Sequence, residues 1–155
     1  MLLAYRLLKL IENHSDGLAR SLHKRYIEDP RCSAYASVPG TELTQRVYEV
    51  YRHLGEWLMA KTESEVEARY LEIGATRAEQ GVPVSQVIWM IYLVRENLWD
   101  YLQKHAELER PAEIFAEVEL QEMIDQFFGH AIYYAALGHE RATAGYAAVS
   151  REVNA

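Results

Sequence analysis

Apolar residues recur at helical spacing along almost the whole chain, and no segment alternates with the period of two that a half-buried strand needs. This periodicity restricts the fold more than any other feature. Each stripe makes one apolar face, and such faces are stable only when packed against one another. A first helix is predicted over residues 2–14, with Leu3, Leu7, Leu10 and Ile11 on one stripe. Ser15-Asp16-Gly17 interrupts it, and a second helix follows to about Asp29 with Leu18, Leu22 and Tyr26 as its face. Pro30 ends that helix, and residues 30–40 read as the one sizeable loop.

Thr41 is expected to cap a third helix whose stripe is Leu43, Val47, Val50, Leu54 and Leu58. Thr62 and Glu65 form a capping box, so a fourth helix starts there and runs to Gln80. Gly81-Val82-Pro83 punctuates the chain: glycine suits the left-handed position after a helix, and proline suits the first turn of the next. The fifth helix, from Pro83 to about His105, is apolar nearly all round and belongs at the centre of a bundle. Arg110-Pro111 opens a last segment that reads as helical to about Val153. A straight helix of ~40 residues extends about 60 Å, so it must bend near Gly129, Gly138 or Gly145, or protrude. Its Ala- and Gly-rich end suits a dimer seam, a lead-in to an output domain or, equally, a frayed tail. The expectation is an all-α chain: a single domain over residues 1–155, a compact bundle of about six helices with a long C-terminal helix.

Composition excludes several partners. The 155 residues carry a net charge of −7, unsuited to the clustered phosphate contacts of nucleic acid or to anionic membranes. The longest apolar run, Val87 to Val94, is far short of the ~20 residues that span a bilayer. The single cysteine, Cys32, makes no internal disulfide, which fits a reducing cytoplasm.

The chain offers little reactive chemistry. No glutamate precedes a histidine by three, so a di-iron carboxylate site has no basis, and Glu49 with His53 is a single pair facing away from the third stripe. His130 falls opposite Phe128 and Ile132, and His14, His105 and His139 lie at helix ends or in polar stretches, so none offers a haem pocket. No Gly-x-Ser-x-Gly elbow or phosphate-binding glycine loop occurs. Neither cofactor nor metal is expected.

Two arginines stand out. Arg77 shares the stripe of Val66, Tyr70 and Ile73, and Arg95 sits among Ile91, Leu98, Trp99 and Leu102. A guanidinium in such surroundings keeps its charge and needs a carboxylate, carbonyls or an anionic ligand. Asp125 is the complementary oddity on the last helix, so an Arg95–Asp125 ion pair is expected, with anion binding as the sharper alternative. The two arginines differ in level by roughly 12 Å in a helical hairpin and cannot share one small anion. Trp89, Tyr92, Trp99, Tyr133 and Tyr134 either fill core or line a pocket beside the central helix.

The run from Leu71 to Val87, with Arg77-Ala78 ahead of Gly81-Val82-Pro83-Val84-Ser85, resembles the corresponding helix–turn–helix of RsbRD-type N-terminal domains. The apolar helix carrying Arg95 and Leu98-Trp99 is similar to that family too, as is Ile11-Glu12-Asn13-His14 followed by Leu18-Ala19. The resemblance implies a helical input module of bacterial stress regulators, with a globin-like fold lacking haem among its relatives, and brings no catalytic residues. The expected function is therefore a non-catalytic sensory or regulatory domain that binds a signal and reports through its last helix to a protein partner or a second copy. The alternative is a globin-like carrier of haem or another small molecule, and an enzyme using Arg95 and Asp125 would require both to face an open pocket.

Overall fold

The computed structural model describes residues 2–105 and 111–154, with side-chain environments for residues 5–104 and 118–145. Among the described residues there are six α-helices: α1 (Leu2–Asn13), α2 (Ser15–Glu28), α3 (Gly40–Arg52), α4 (Glu63–Glu79), α5 (Val84–His105) and α6 (Pro111–Asn154). A 3-10 helix (Pro30–Ser37) joins α2 to α3, and a π turn (Glu56–Ala60) lies between α3 and α4. No strand occurs among the described residues, as the absence of period-two alternation implies. No described helix is long and apolar enough to cross a membrane.

The local signals act as expected around α4. Thr62 Oγ1 accepts from the Glu65 backbone N–H at 3.3 Å, and Glu65 Oε2 accepts from the Thr62 N–H at 2.7 Å. At the other end Gly81 has φ +78°, the Gly81 N–H bonds the Ala78 carbonyl, and the Val82 N–H bonds the Arg77 carbonyl. That pair of bonds satisfies carbonyls the helix end would otherwise leave open. The turn then sends Val82 into the interior, 1% exposed.

Two stretches depart from expectation. Residues 30–40 are not an open loop: Asp29 caps a 3-10 helix by accepting from the Arg31 N–H at 2.9 Å. The segment kinks at Cys32 (φ −117°, ψ 17°), and from there the spacing by threes turns Cys32, Tyr35 and Val38 into the interior. Gln86 of α5 anchors the segment by accepting from the Ala34 N–H at 2.8 Å. The Leu43–Leu58 stripe is also broken, because α3 ends at Arg52 and the π turn intervenes, closed by the Lys61 N–H on the Glu56 carbonyl. The wider turn carries Trp57 into the core and leaves Leu58 half-buried. Thr41 does not cap α3, which starts at Gly40 with no side-chain cap.

α5 is the central helix. No residue from Gln86 to Leu102 is fully exposed, which is why its sequence is apolar all round. Buried Asn97 ties α2 and α3 to it: Asn97 Nδ2 donates to the Leu18 carbonyl at 2.9 Å and to Tyr51 Oη at 3.1 Å, and Ser21 Oγ donates to Asn97 Oδ1 at 2.9 Å. Tyr51 Oη in turn donates to the Val94 carbonyl at 2.8 Å. An Arg25–Asp100 ion pair holds α2 to α5 nearer the surface.

α6 does not bend. It runs unbroken through Gly129, Gly138 and Gly145 for 44 residues, roughly 66 Å at 1.5 Å each. Gly138 serves a different purpose from the expected hinge or seam between copies. A Cβ there would stand 2.2 Å from the Leu71 carbonyl oxygen of α4, and one on Gly74 would stand 1.9 Å from the Ala135 carbonyl oxygen of α6. The two helices cross backbone to backbone, each supplying the glycine the other needs. Beyond Gly138 no side chain is buried up to Gly145.

Candidate functional site

Where α3, α4 and α5 meet, the side chains leave a chamber of about 70 Å³. Leu43, Val47 and Val50 wall it from α3, and Val87, Met90, Ile91 and Val94 wall it from α5. Tyr70 and Ile73 of α4 close a third side, Trp57 of the π turn an end, and Phe128 brings α6 to the wall. Protein interiors are close-packed, so a void lined mainly by apolar side chains is unusual. Burial raises the Tyr70 hydroxyl well above its ordinary titration range, with Glu49 adding to the effect. Burial raises Tyr35 likewise, against the opposing charge of Arg77.

Charged groups stand at two edges of this chamber. Arg77, only 4% exposed, lines it from the last turn of α4. Its Nη1 donates to Glu42 Oε1 at 2.9 Å and to Gln80 Oε1 at 2.7 Å, and Gln80 Nε2 donates to Glu42 Oε2 at 3.1 Å. The Arg77 hydrogen bond holds the Glu42 carboxyl below the ordinary range. The guanidinium also lies over the Tyr35 ring, 5.8 Å from its centroid. The second edge is a trio: Arg69 Nη2 donates to Glu49 Oε2 at 2.6 Å, and Arg46 Nη1 approaches the same oxygen at 3.7 Å. Arg46, Glu49 and Arg69 also line an outer surface depression with Glu42, Gln45, Tyr48 and His53. The trio is therefore the partition between solvent and the apolar interior.

Of the residues expected to form a site, Arg77 alone lines the chamber. Arg95 does not lie at the centre of the apolar face: its side chain is 32% exposed, because Val87, Val94, Leu98 and Leu102 take the inner positions of α5. It meets Asp125 as expected, Nε to Oδ1 at 3.7 Å, an ion pair beyond hydrogen-bond reach, and neither residue lines the chamber. Trp89 is half-buried on the core, donating from Nε1 to Asp29 Oδ2 at 2.8 Å, with the Arg31 guanidinium 3.8 Å above its ring and Tyr92 stacked at 4.8 Å. Trp99 is packed half-buried on the core. Tyr133 is 61% exposed and rests edge-on against Tyr134, whose hydroxyl donates to Glu63 at 2.8 Å. These aromatics thus line no common pocket with Arg77.

No group of three or more metal-ligating side chains occurs among the described residues, and Glu49 and His53 turn to different partners, Arg69 and Glu56. No described histidine lines the chamber. His139 Nε2 lies 2.6 Å from the Val82 carbonyl, and His14 Nδ1 lies 2.9 Å from the Leu10 carbonyl. Cys32 is buried, and that burial pushes its thiol up to about 11. The residues that sequence reasoning missed are Glu42, Arg46, Glu49 and Arg69 as a charged rim, and Asn97 as an interior anchor. The single signal for the rim was the placement of Arg46 and Glu49 three apart on one helix.

No curated protein and no solved structure matches the chain significantly. Residues 16–153 match the family profile of the RsbT co-antagonist protein rsbRD N-terminal domain. The matched span takes in every residue that lines the chamber and the whole of the α4–α6 crossing. The chain belongs to the RsbT co-antagonist rsbRD N-terminal domain family.

Proposed function

We propose that the chain is a non-catalytic, cytoplasmic sensory domain that takes a small signal into the chamber and reports it through α6 to a protein partner or a second copy. Membership of a family of stressosome-type regulatory domains supports a regulatory role. One observation carries the relay: α6 is at once a wall of the chamber, through Phe128, and locked to α4 at Gly74 and Gly138. Packed interiors transmit strain rather than absorb it, so a change in the filling of the chamber bears directly on α6. Beyond that crossing the helix continues to Asn154 with residues 140–145 open to a partner. The acidic net charge and the lack of a described membrane-spanning helix fit a cytoplasmic protein partner better than nucleic acid or lipid.

The test is hydrogen exchange on the full chain and on Val47→Phe, which fills the chamber from α3. The relay expects changed protection in residues 131–145 of α6 as well as in α3 and α5. A change confined to α3 and α5 would end the relay reading. A chain lacking residues 140–155 should keep its remaining helicity but lose self-association or partner binding, seen by native mass spectrometry. Unchanged binding would remove α6 as the reporting element.

The haem alternative finds no support in the geometry. The chamber is about half the ~150 Å³ that accepts a benzene molecule, far below a porphyrin, and no described histidine reaches it. The small-molecule part of that alternative is compatible with the sensory reading.

A further inference from the structure

We propose that the chamber takes a small carboxylate, an anion with an apolar body of about three or four carbons, held at the mouth by Arg46 and Arg69. The proposal deepens the sensory reading above and rests on it only for the consequence of binding. Size sets the body: about 70 Å³ is close to half of the ~150 Å³ that holds six-carbon benzene. Wall chemistry favours an apolar body, since Leu43, Val47, Ile73, Ile91, Val94 and Phe128 offer it no hydrogen bonds.

Charge sets the head group. Three guanidiniums, Arg46, Arg69 and Arg77, line the chamber against one carboxylate, Glu49. Arg77 is matched from outside the lining by Glu42. Arg46 and Arg69 converge on the single oxygen Glu49 Oε2, and only Arg69 is within hydrogen-bond distance of it. Glu72 stands 3.8 Å from Arg69 Nη1 but is 64% exposed, too far into solvent to satisfy the mouth. Arg46 therefore keeps unused donors where the chamber meets the outer depression. A guanidinium does not deprotonate, so the unused Arg46 donors stay charged at every physiological pH. A planar carboxylate fits the guanidinium fork, as Glu49 already does from the protein side.

The experiment titrates the full chain with sodium butanoate, using 1-butanol and n-butylamine at matched ionic strength as controls. The readout is the indole N–H resonance of Trp57, which lines the chamber. Butanoate is expected to shift that resonance and to bind at least about tenfold more tightly than butanol, with butylamine weakest. Arg69→Met and Arg46→Met should each shrink the preference for butanoate over butanol to about threefold or less. Val47→Phe should abolish binding of both compounds. Arg69 joins α4 to α3, and if its variant fails to fold, Arg46→Met carries the test, because Arg46 makes only a long contact. Equal affinity for butanoate and butanol, a saturating response that bypasses Trp57, or no response at all overturns the proposal. Binding of butanol alone would likewise defeat the carboxylate assignment while leaving the relay to α6 standing. Conversely, an unresponsive α6 in the exchange experiment leaves the butanoate result intact.

Discussion

Removing the Asn97 side chain would take a second hydrogen bond from the Leu18 carbonyl and one partner each from Tyr51 and Ser21, where α2 and α3 meet α5. Three hydrogen bonds are lost at about 1 kcal/mol each, so Asn97→Ala is expected to destabilise by about 2–3 kcal/mol. Tyr51→Phe, which removes one hydroxyl and leaves the ring in place, should cost about 1 kcal/mol. Urea unfolding of both variants checks the order, and a harmless Asn97→Ala would refute the interior network. Cys32 offers a second test at this scale. It is 3% exposed with its thiol held up to about 11, so native protein at pH 8 should react with a thiol reagent far more slowly than unfolded protein. Fast native labelling would show that the 3-10 helix opens. Arg77 was legible from its apolar stripe, because a guanidinium that cannot discharge must find a partner. Its partner Glu42 lies 35 residues away on another helix, and helical spacing says nothing of such pairings. Asn97 and Arg95 show the same gap: one stripe cannot tell which of its edges faces another helix and which faces water.

At the scale of elements, the α4–α6 crossing makes opposite predictions for chemically identical substitutions. Gly74→Ala and Gly138→Ala each put a methyl within 1.9 Å or 2.2 Å of a backbone oxygen, and a helix backbone cannot rotate away as a side chain can. Each should cost at least about 3 kcal/mol or prevent folding. Gly129→Ala and Gly145→Ala meet nothing within 4 Å and should stabilise the same helix by about 0.5–1 kcal/mol each, the usual gain over glycine in a helix interior. Thermal melts of the four variants decide the matter, and similar effects at all four would mean that the crossing is looser than described. Helix existence and most boundaries were legible because Thr62–Glu65 and Gly81–Pro83 are local devices whose geometry depends on neighbours in sequence. The 3-10 helix was hidden by expecting a loop after Pro30, although the spacing of Cys32, Tyr35 and Val38 by threes carried the signal. The role of Gly138 was not legible, since a glycine that hinges and a glycine that admits another backbone look alike in one dimension.

For the molecule as a whole, ionisable groups bound the pH range of the fold from both sides. Hydrogen bonding to Arg31 and Trp89 lowers Asp29 to about 2, the Arg77 bond lowers Glu42, and the Thr62 backbone N–H lowers Glu65. Groups depressed in the folded protein contribute stability above their unfolded values of ~4, and that contribution is lost as pH falls through the folded values. Burial acts oppositely on Tyr35, Tyr51, Tyr70 and Cys32, all of them raised. Below their unfolded values of ~10 for tyrosine and ~8.5 for cysteine, both states are neutral and nothing is lost. Above those values the unfolded chain ionises first, and stability falls as pH rises. Stability to urea should therefore be level from about pH 5 to 8 and decline on either side. The alkaline limb can be followed directly by tyrosinate absorbance alongside circular dichroism. Tyr35, Tyr51 and Tyr70 should ionise only together with the loss of helix, because two of them wall the chamber and the third anchors Asn97. Were Tyr35 and Tyr70 to titrate with helicity unchanged, their hydroxyls would have to reach solvent through the chamber. Its mouth would then open on its own, and the ion-paired partition of Arg46, Glu49 and Arg69 would not be a barrier.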